Sequence, residues 1–146
     1  MIDLVLDPPT QDIPKLRQDP KVKIADGTET RIIFLGLDMG AAELKYSDVK
    51  GKNPFADKRV RQAMYQAIDI DAIQKSTMRG LSVPTGSMIA PQVQGYSKEF
   101  TKRLPYDPAA AKKLLAEAGY PNGFKLTNPL DYSNNGTNGP IFLAVQ

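Results

Sequence analysis

Histidine, cysteine and tryptophan are all absent from the 146 residues. That removes His/Cys zinc sites, thiol nucleophiles, disulfides, the Ser-His-Asp triad and the usual neutral-pH proton shuttle. A chain without thiols neither needs an oxidising compartment nor suffers from one, so the missing cysteines point to no location. Long apolar runs are lacking too: none approaches the roughly 20 residues of a helical membrane span. No basic stretch followed by an apolar segment opens the chain, so no export signal is expected within it. Charge of one sign is scarce, because 19 Lys and Arg against 16 Asp and Glu leave only +3. So small a surplus does not imply a polyanion, and no nucleic acid is expected as partner. Phosphate cradles are missing as well. Residues 36–40 read GLDMG, which fits neither G-x-x-x-x-G-K-[ST] nor G-x-G-x-x-G.

What is present is the balance of a globular domain, with 41% hydrophobic and 24% charged residues and length enough for one modest core. Ile2 to Leu6 is apolar and β-branched enough for a short strand, ended by Asp7-Pro8-Pro9. Ile13 and Leu16, three apart, mark a short helix within 10–18 that stops before Pro20. Lys21 to Ala25 alternates, with Val22 and Ile24 on one face, and Asp26-Gly27 reverses the chain, so a half-buried strand is expected there. Arg31 to Met39 is the most apolar run and reads as a strand buried on both faces. Gly36 within it marks a bulge or the close approach of another backbone or a ligand, with packing the favoured reason. Residues 40–54 read as a connecting loop with about one helical turn.

Asp57 to Ile68 is a helix by its pattern: Val60, Met64, Ala67 and Ile68 recur at helical spacing, and polar residues fill the other face. Asp57 stands where it could pair with Arg61. A second helix is expected from about Asp71 to Arg79, capped by Asp69 and stopped by Gly80. Leu81 to Tyr96 mixes Pro and Gly with apolar residues, the composition of an ordered loop of the kind that often lines a site. Asp107-Pro108 opens the clearest helix, with Ala111, Leu114, Leu115 and Ala118 as its stripe and Gly119 and Pro121 as its stop. Extended chain resumes over Phe124 to Thr127. Ser133 to Gly139 reads as a loop, and Pro140 to Gln146 begins a helical pattern.

No constellation here calls for catalysis. Asp69 with Asp71 is explained by helix capping rather than by a cation or acid/base work. Lys58, Arg59 and Arg61, like Lys112 and Lys113, lie on polar helix faces, where solvated charge is the ordinary outcome. Asn135-Gly136-Thr137 fits the glycosylation acceptor pattern, but a loop explains it equally. Tyr46, Tyr96, Tyr106, Tyr120 and Tyr132 lie near turns, where a tyrosine packs its ring and leaves its hydroxyl wet. The residues alone therefore read as an α/β chain without evident catalytic chemistry, in which no catalytic residue, metal site, cofactor or enzymatic role is expected.

Two longer stretches are more specific. NPFADKRVRQAMYQAIDIDAI is followed by a G-x-x-x-P loop and then by LPYDPAAAKKLLAEAGYPNGF. In order and spacing they resemble the peptide/nickel class of ABC-importer solute-binding proteins, solute-binding protein family 5. Upstream, VLDPPTQDIPKLRQDPKVKIADGTETRIIFLGLDM resembles the part of that family that leaves the first lobe and enters the strand crossing to the other. The resemblance covers almost the whole chain.

It implies a fragment of a two-lobed, type II periplasmic-binding-protein-like fold, a mixed sheet flanked by helices. Residues 1–28 would end the first lobe, and 29–146 would begin the distal ligand-binding lobe, cut short at Gln146. The implied role is that of a substrate-binding component for oligopeptide or dipeptide uptake, periplasmic or anchored outside the membrane. Nickel, haem, glutathione or sugar are rival ligands. The alternative of another class is an interaction module docking on the membrane permease. In this architecture the expected pocket walls are the crossing strand at Phe34, Gly36 and Asp38 and the loop from Met88 to Pro91. A peptide and the permease subunits are the implied partners, and unpaired edges could join two copies of the fragment.

Overall fold

Two aspartates set the two ten-residue helices of the computed structural model, which describes residues 3–127 and 138–145. Asp57 accepts from the Arg59 amide at 2.8 Å and starts one helix at Lys58. Asp107 accepts from the Ala110 amide at 2.9 Å and starts the other at Pro108. In both cases a side-chain oxygen satisfies an amide that the first helical turn leaves without a partner. In chain order the helices are α1 (Ile13–Leu16), α2 (Lys58–Ala67), α3 (Ile70–Ala72), α4 (Pro108–Glu117) and α5 (Asn138–Val145). No described helix is long and apolar enough to cross a membrane.

The chain divides into two compact units. One comprises Met1–Ile33, Asp71–Lys102 and Tyr132–Gln146, and the other Phe34–Ile70 and Arg103–Asp131. In the second unit α2 packs against α4, and the Asp107 amide donates to the Gln66 carbonyl at 2.9 Å, joining the start of α4 to the end of α2. Val60 is fully buried at the centre, with Leu44, Phe55 and Tyr120 around it. Edge-to-face contacts of Phe124 with Tyr120 (5.1 Å) and Phe55 (6.1 Å) close this core. Gly119, at φ +90°, ends α4 with the left-handed backbone that glycine adopts without strain.

In the first unit α1 buries Ile13, and the Thr10 hydroxyl donates to the Thr77 carbonyl at 3.4 Å. Helix α3 runs into a π-helical turn over Ile73–Thr77, against which α5 packs. Arg79 and Gly80 both have positive φ and stop it, so the glycine stop is where the sequence placed it. The single α-helix expected over 71–79 is instead this α-to-π run, in which the Met78 amide reaches back to Ile73.

Other expectations are corrected. Arg31 to Met39 is not a buried strand: Phe34 is 58% exposed, and no ladder pairs this segment or 21–25 among the described residues. An extended run becomes a strand only when another strand bonds to it, and the single β contact among the described residues is an isolated antiparallel bridge between Ser47 and Leu126. That bridge does place Phe124 to Thr127 in extended chain. Leu4, Val5 and Leu6 are exposed, and Ile2 lies outside the described residues. Asp57 pairs with Arg59 at 2.6 Å rather than with Arg61, whose guanidinium donates to the Phe55 and Ala56 carbonyls at 2.7 and 2.9 Å. The one turn of helix expected within 40–54 comes at its end, as a 3-10 turn over Pro54–Ala56. Residues 133–137 of the expected loop lie outside the described residues, and Asn138 and Gly139 already belong to α5.

Candidate functional site

Asp38 ends a segment that begins at exposed Phe34 and alternates with half-buried Leu35 and Leu37, and local bonding fixes it. Its Oδ1 accepts from the amides of Gly40 and Ala41 at 3.0 and 3.1 Å, an Asx-type turn that reverses the chain. Buried Asn53 then clamps the turn. Its Nδ2 donates to the Asp38 and Ala41 carbonyls at 2.9 and 2.8 Å, and its Oδ1 accepts from the Phe55 amide at 2.9 Å. One side chain thus satisfies two carbonyls of the segment and caps the 3-10 turn that leads into α2.

Gly36 has open space around it, with no atom within 4 Å of where a Cβ would stand. Packing inside the chain is therefore not what calls for glycine at this position. Phe34 projects an aromatic face into solvent close by in sequence. All three sequence-predicted residues of this segment, Phe34, Gly36 and Asp38, belong to one unit.

Met88 and Pro91 belong to the other unit. Met88 is 58% exposed at the tip of a turn made by the buried Ser87. The Ser87 hydroxyl donates to the Ile89 carbonyl at 2.9 Å and accepts from the Ile89 amide at 3.0 Å. Further on, Ala90 is buried, and its carbonyl accepts from Val93 at 3.0 Å. The Gln92 amide nitrogen donates to Thr28 Oγ1 at 2.6 Å, so the loop is tied to the rest of its unit. Leu81 to Tyr96 is the ordered loop that its composition implied.

Charges around these elements serve structure. The Arg59 side chain beside Asp57 holds that carboxyl below its ordinary range, and the Arg59 amide adds to the effect. Reciprocally, Asp57 raises Arg59, which also donates to the Glu117 carbonyl at 2.7 Å. Glu43 is lowered by the Gly51 amide at 2.6 Å and by Lys50 at 3.3 Å. Lys52 lies over the Tyr120 ring at 4.8 Å and Arg103 over Tyr65 at 4.4 Å. No group of three acidic residues among those described is arranged to hold a metal ion.

Sequence reasoning missed Asn53 and Ser87, the buried polar residues that hold the two segments. The available signal was Asn53 directly before Pro54, a helix-start pattern. For Ser87 no such signal exists, because its partner is fixed only by the fold of the turn.

Comparison with known proteins bears on the chain as a whole. The family model described as bacterial extracellular solute-binding proteins, family 5 Middle, matches residues 1–146. Heme-binding protein A of Haemophilus influenzae is 34% identical over 123 residues, 84% of this chain and 20% of that protein. Glutathione-binding protein GsiB of Escherichia coli K12 is 40% identical over 76 residues, 52% of this chain and 14% of that protein. The protein of that name from Shigella boydii matches to the same extent. The chain thus spans about a fifth or less of the length of these curated relatives.

Proposed function

Because the chain belongs to family 5 of the bacterial extracellular solute-binding proteins, we propose that it is part of the substrate-binding component of an ABC importer for oligopeptides or dipeptides. The observation that carries this reading is the similarity to proteins named for binding glutathione, itself a tripeptide. A permissive peptide receptor needs main-chain hydrogen bonds and open, hydrated side-chain pockets, with affinity supplied as two lobes close. The whole protein then has the two-lobed fold with a mixed sheet flanked by helices, in which residues 1–28 end one lobe and 29–146 begin the other. It works outside the cytoplasmic membrane, passes its substrate to permease subunits and performs no chemistry on it.

We propose Phe34, Gly36 and Asp38 as a substrate-facing surface of their unit and, taken separately, the Met88–Pro91 loop as a substrate-facing surface of the other unit. Exposed Phe34 and the open flank of Gly36 support the first assignment. The exposed Met88 tip on its anchored turn supports the second. Haem is the second reading, favoured by the similarity that covers 84% of the chain. Exposed Leu4, Leu6 and Val83 would let the chain in isolation self-associate, which sedimentation at rising concentration would reveal.

The deciding experiment is native mass spectrometry of the whole protein, purified without denaturation from its own cells. A ladder of peptide masses is the expected result. A single haem mass would replace the peptide reading with the second one. For docking on the permease, the residue to reverse is Lys58, since Arg59 and Arg61 are engaged with their own unit. Lost transport with intact binding would locate a docking face there.

A further inference from the structure

Gly86 is the most closely approached of the described glycines. A Cβ on it would stand 2.8 Å from the Lys102 carbonyl oxygen and 3.0 Å from that of Phe100. Its φ lies outside the left-handed region, so the requirement is for space and not for conformational freedom. The Gly86 amide donates to the Thr101 carbonyl at 3.1 Å, which holds the chain flush against the 3-10 turn Lys98–Thr101. The obstructing atoms are backbone, which cannot swing aside as a side-chain end can. From 2.8 Å to the 3.4 Å at which ordinary contact begins, residue 86 and the Lys102 carbonyl must draw apart by 0.6 Å, and a share of that separation falls on the chain at 86.

Residues 87–90 transmit such a retreat. Thr85 Oγ1 accepts from the Ser87 amide at 3.0 Å, and the Ser87 hydroxyl bonds both backbone groups of Ile89. Met88 lies between the two ends of this clasp in sequence and is carried exposed at its tip, and the buried Ala90 anchors the far side. A turn closed this tightly moves as one piece.

We infer that Gly86 is a positioning residue for substrate binding: by lying against the Phe100 and Lys102 carbonyls it seats the Met88–Pro91 loop at the depth the substrate meets. The inference rests on the proposal that this loop faces the substrate site. Binding surfaces lose function when their supporting groups shift by about 0.5 Å, so a single methyl at this position is enough.

The test uses the whole protein labelled with ε-13C methionine, in unaltered, Gly86→Ala and Gly27→Ala forms. Gly27 has nothing within 4 Å of its Cβ and serves as the control. Reduced glutathione and, in parallel, haemin are titrated. Gly86→Ala should move the Met88 methyl signal, leave that of Met64 in place and weaken binding on the order of tenfold. Gly27→Ala should change neither. Should Gly86→Ala not fold, Ser87→Ala removes the clasp without adding an atom, and the same Met88 shift and loss of affinity are expected. An unmoved Met88 signal with full affinity overturns the inference. A moved signal with full affinity overturns the loop's part in binding. An unaltered protein that binds neither probe overturns the functional reading, and the Met88 signal alone then decides whether Gly86 seats the loop.

Discussion

Asn53 holds Asp38 from the opposite end of an intervening loop, its side-chain amide donating to the Asp38 carbonyl at 2.9 Å. Together with its bonds to Ala41 and Phe55, this is a polar tie between the Phe34–Asp38 segment and the helical core of its unit, beside the packing of half-buried Leu37 against that core. Replacing Asn53 with Ala leaves two carbonyls and one amide to find other partners. Urea unfolding should show a loss of about 2 kcal/mol. Asn53→Asp keeps an acceptor for Phe55 but sets a carboxylate against two carbonyl oxygens, and should be at least as damaging. An unchanged midpoint in both variants would mean that the tie contributes nothing.

Val60 has no exposed surface and sits where α2 meets the aromatic residues of the core. Val60→Ala removes two methyl groups from a packed site and should cost about 2 kcal/mol. Lys112 on the outer face of α4 is exposed, and Lys112→Ala should stay within about 0.5 kcal/mol of the unaltered protein. Equal effects in thermal unfolding would contradict this placement of the core.

The Asp107 cap should be separable from core packing. Asp107→Ala strands the Ala110 amide and should destabilise the unit by about 1 kcal/mol, with faster hydrogen exchange concentrated in the first turn of α4. Asp107→Asn, also a good cap, should recover most of the loss. Exchange that quickens uniformly along the unit would point to a packing role instead.

Acid should weaken the protein in a defined window. Asp57 and Glu43 both have folded-state values below their ordinary 3.8 and 4.5. The unfolded chain therefore takes up their protons first as pH falls. The stability these groups contribute is fully present above the ordinary values and is lost as pH drops through the lowered ones. Unfolding midpoints measured from pH 7 to pH 3 should hold level and then decline, less steeply in Asp57→Asn. A midpoint that rises toward pH 3 would reverse the sign.

The helices were legible in the sequence because their signals are local. Asp57, Asp107, Gly80 and Gly119 mark ends within one turn of the residues they serve, and Val60 or Ala111 shows its buried face by spacing alone. Strand pairing is not local. Arg31 to Met39 has the composition of a core strand, yet nothing within it says which chain will supply the opposing hydrogen bonds. Arg59 took the place given to Arg61 for a related reason, since the carbonyls that draw Arg61 away exist only once Pro54–Ala56 has coiled. Phe34 and Met88, proposed as substrate-facing residues, are exposed in the structure, and both could be named from the sequence. The devices behind them could not: Asn53 needs the Asp38 turn as its target, and the space demanded at Gly86 is set by two carbonyls from a later segment.

The interleaving of the two units also has a consequence for biosynthesis. Every described segment of the α2–α4 unit has been translated by Thr127, so its core can close while the chain is still growing. In the other unit the contacts between α5 and the π-helical turn at Ile73–Thr77 join segments made far apart in time, and they form only after α5 itself has been made. Leu81 to Tyr96, which lies between those two elements in sequence, is therefore made before α5 is there to pack.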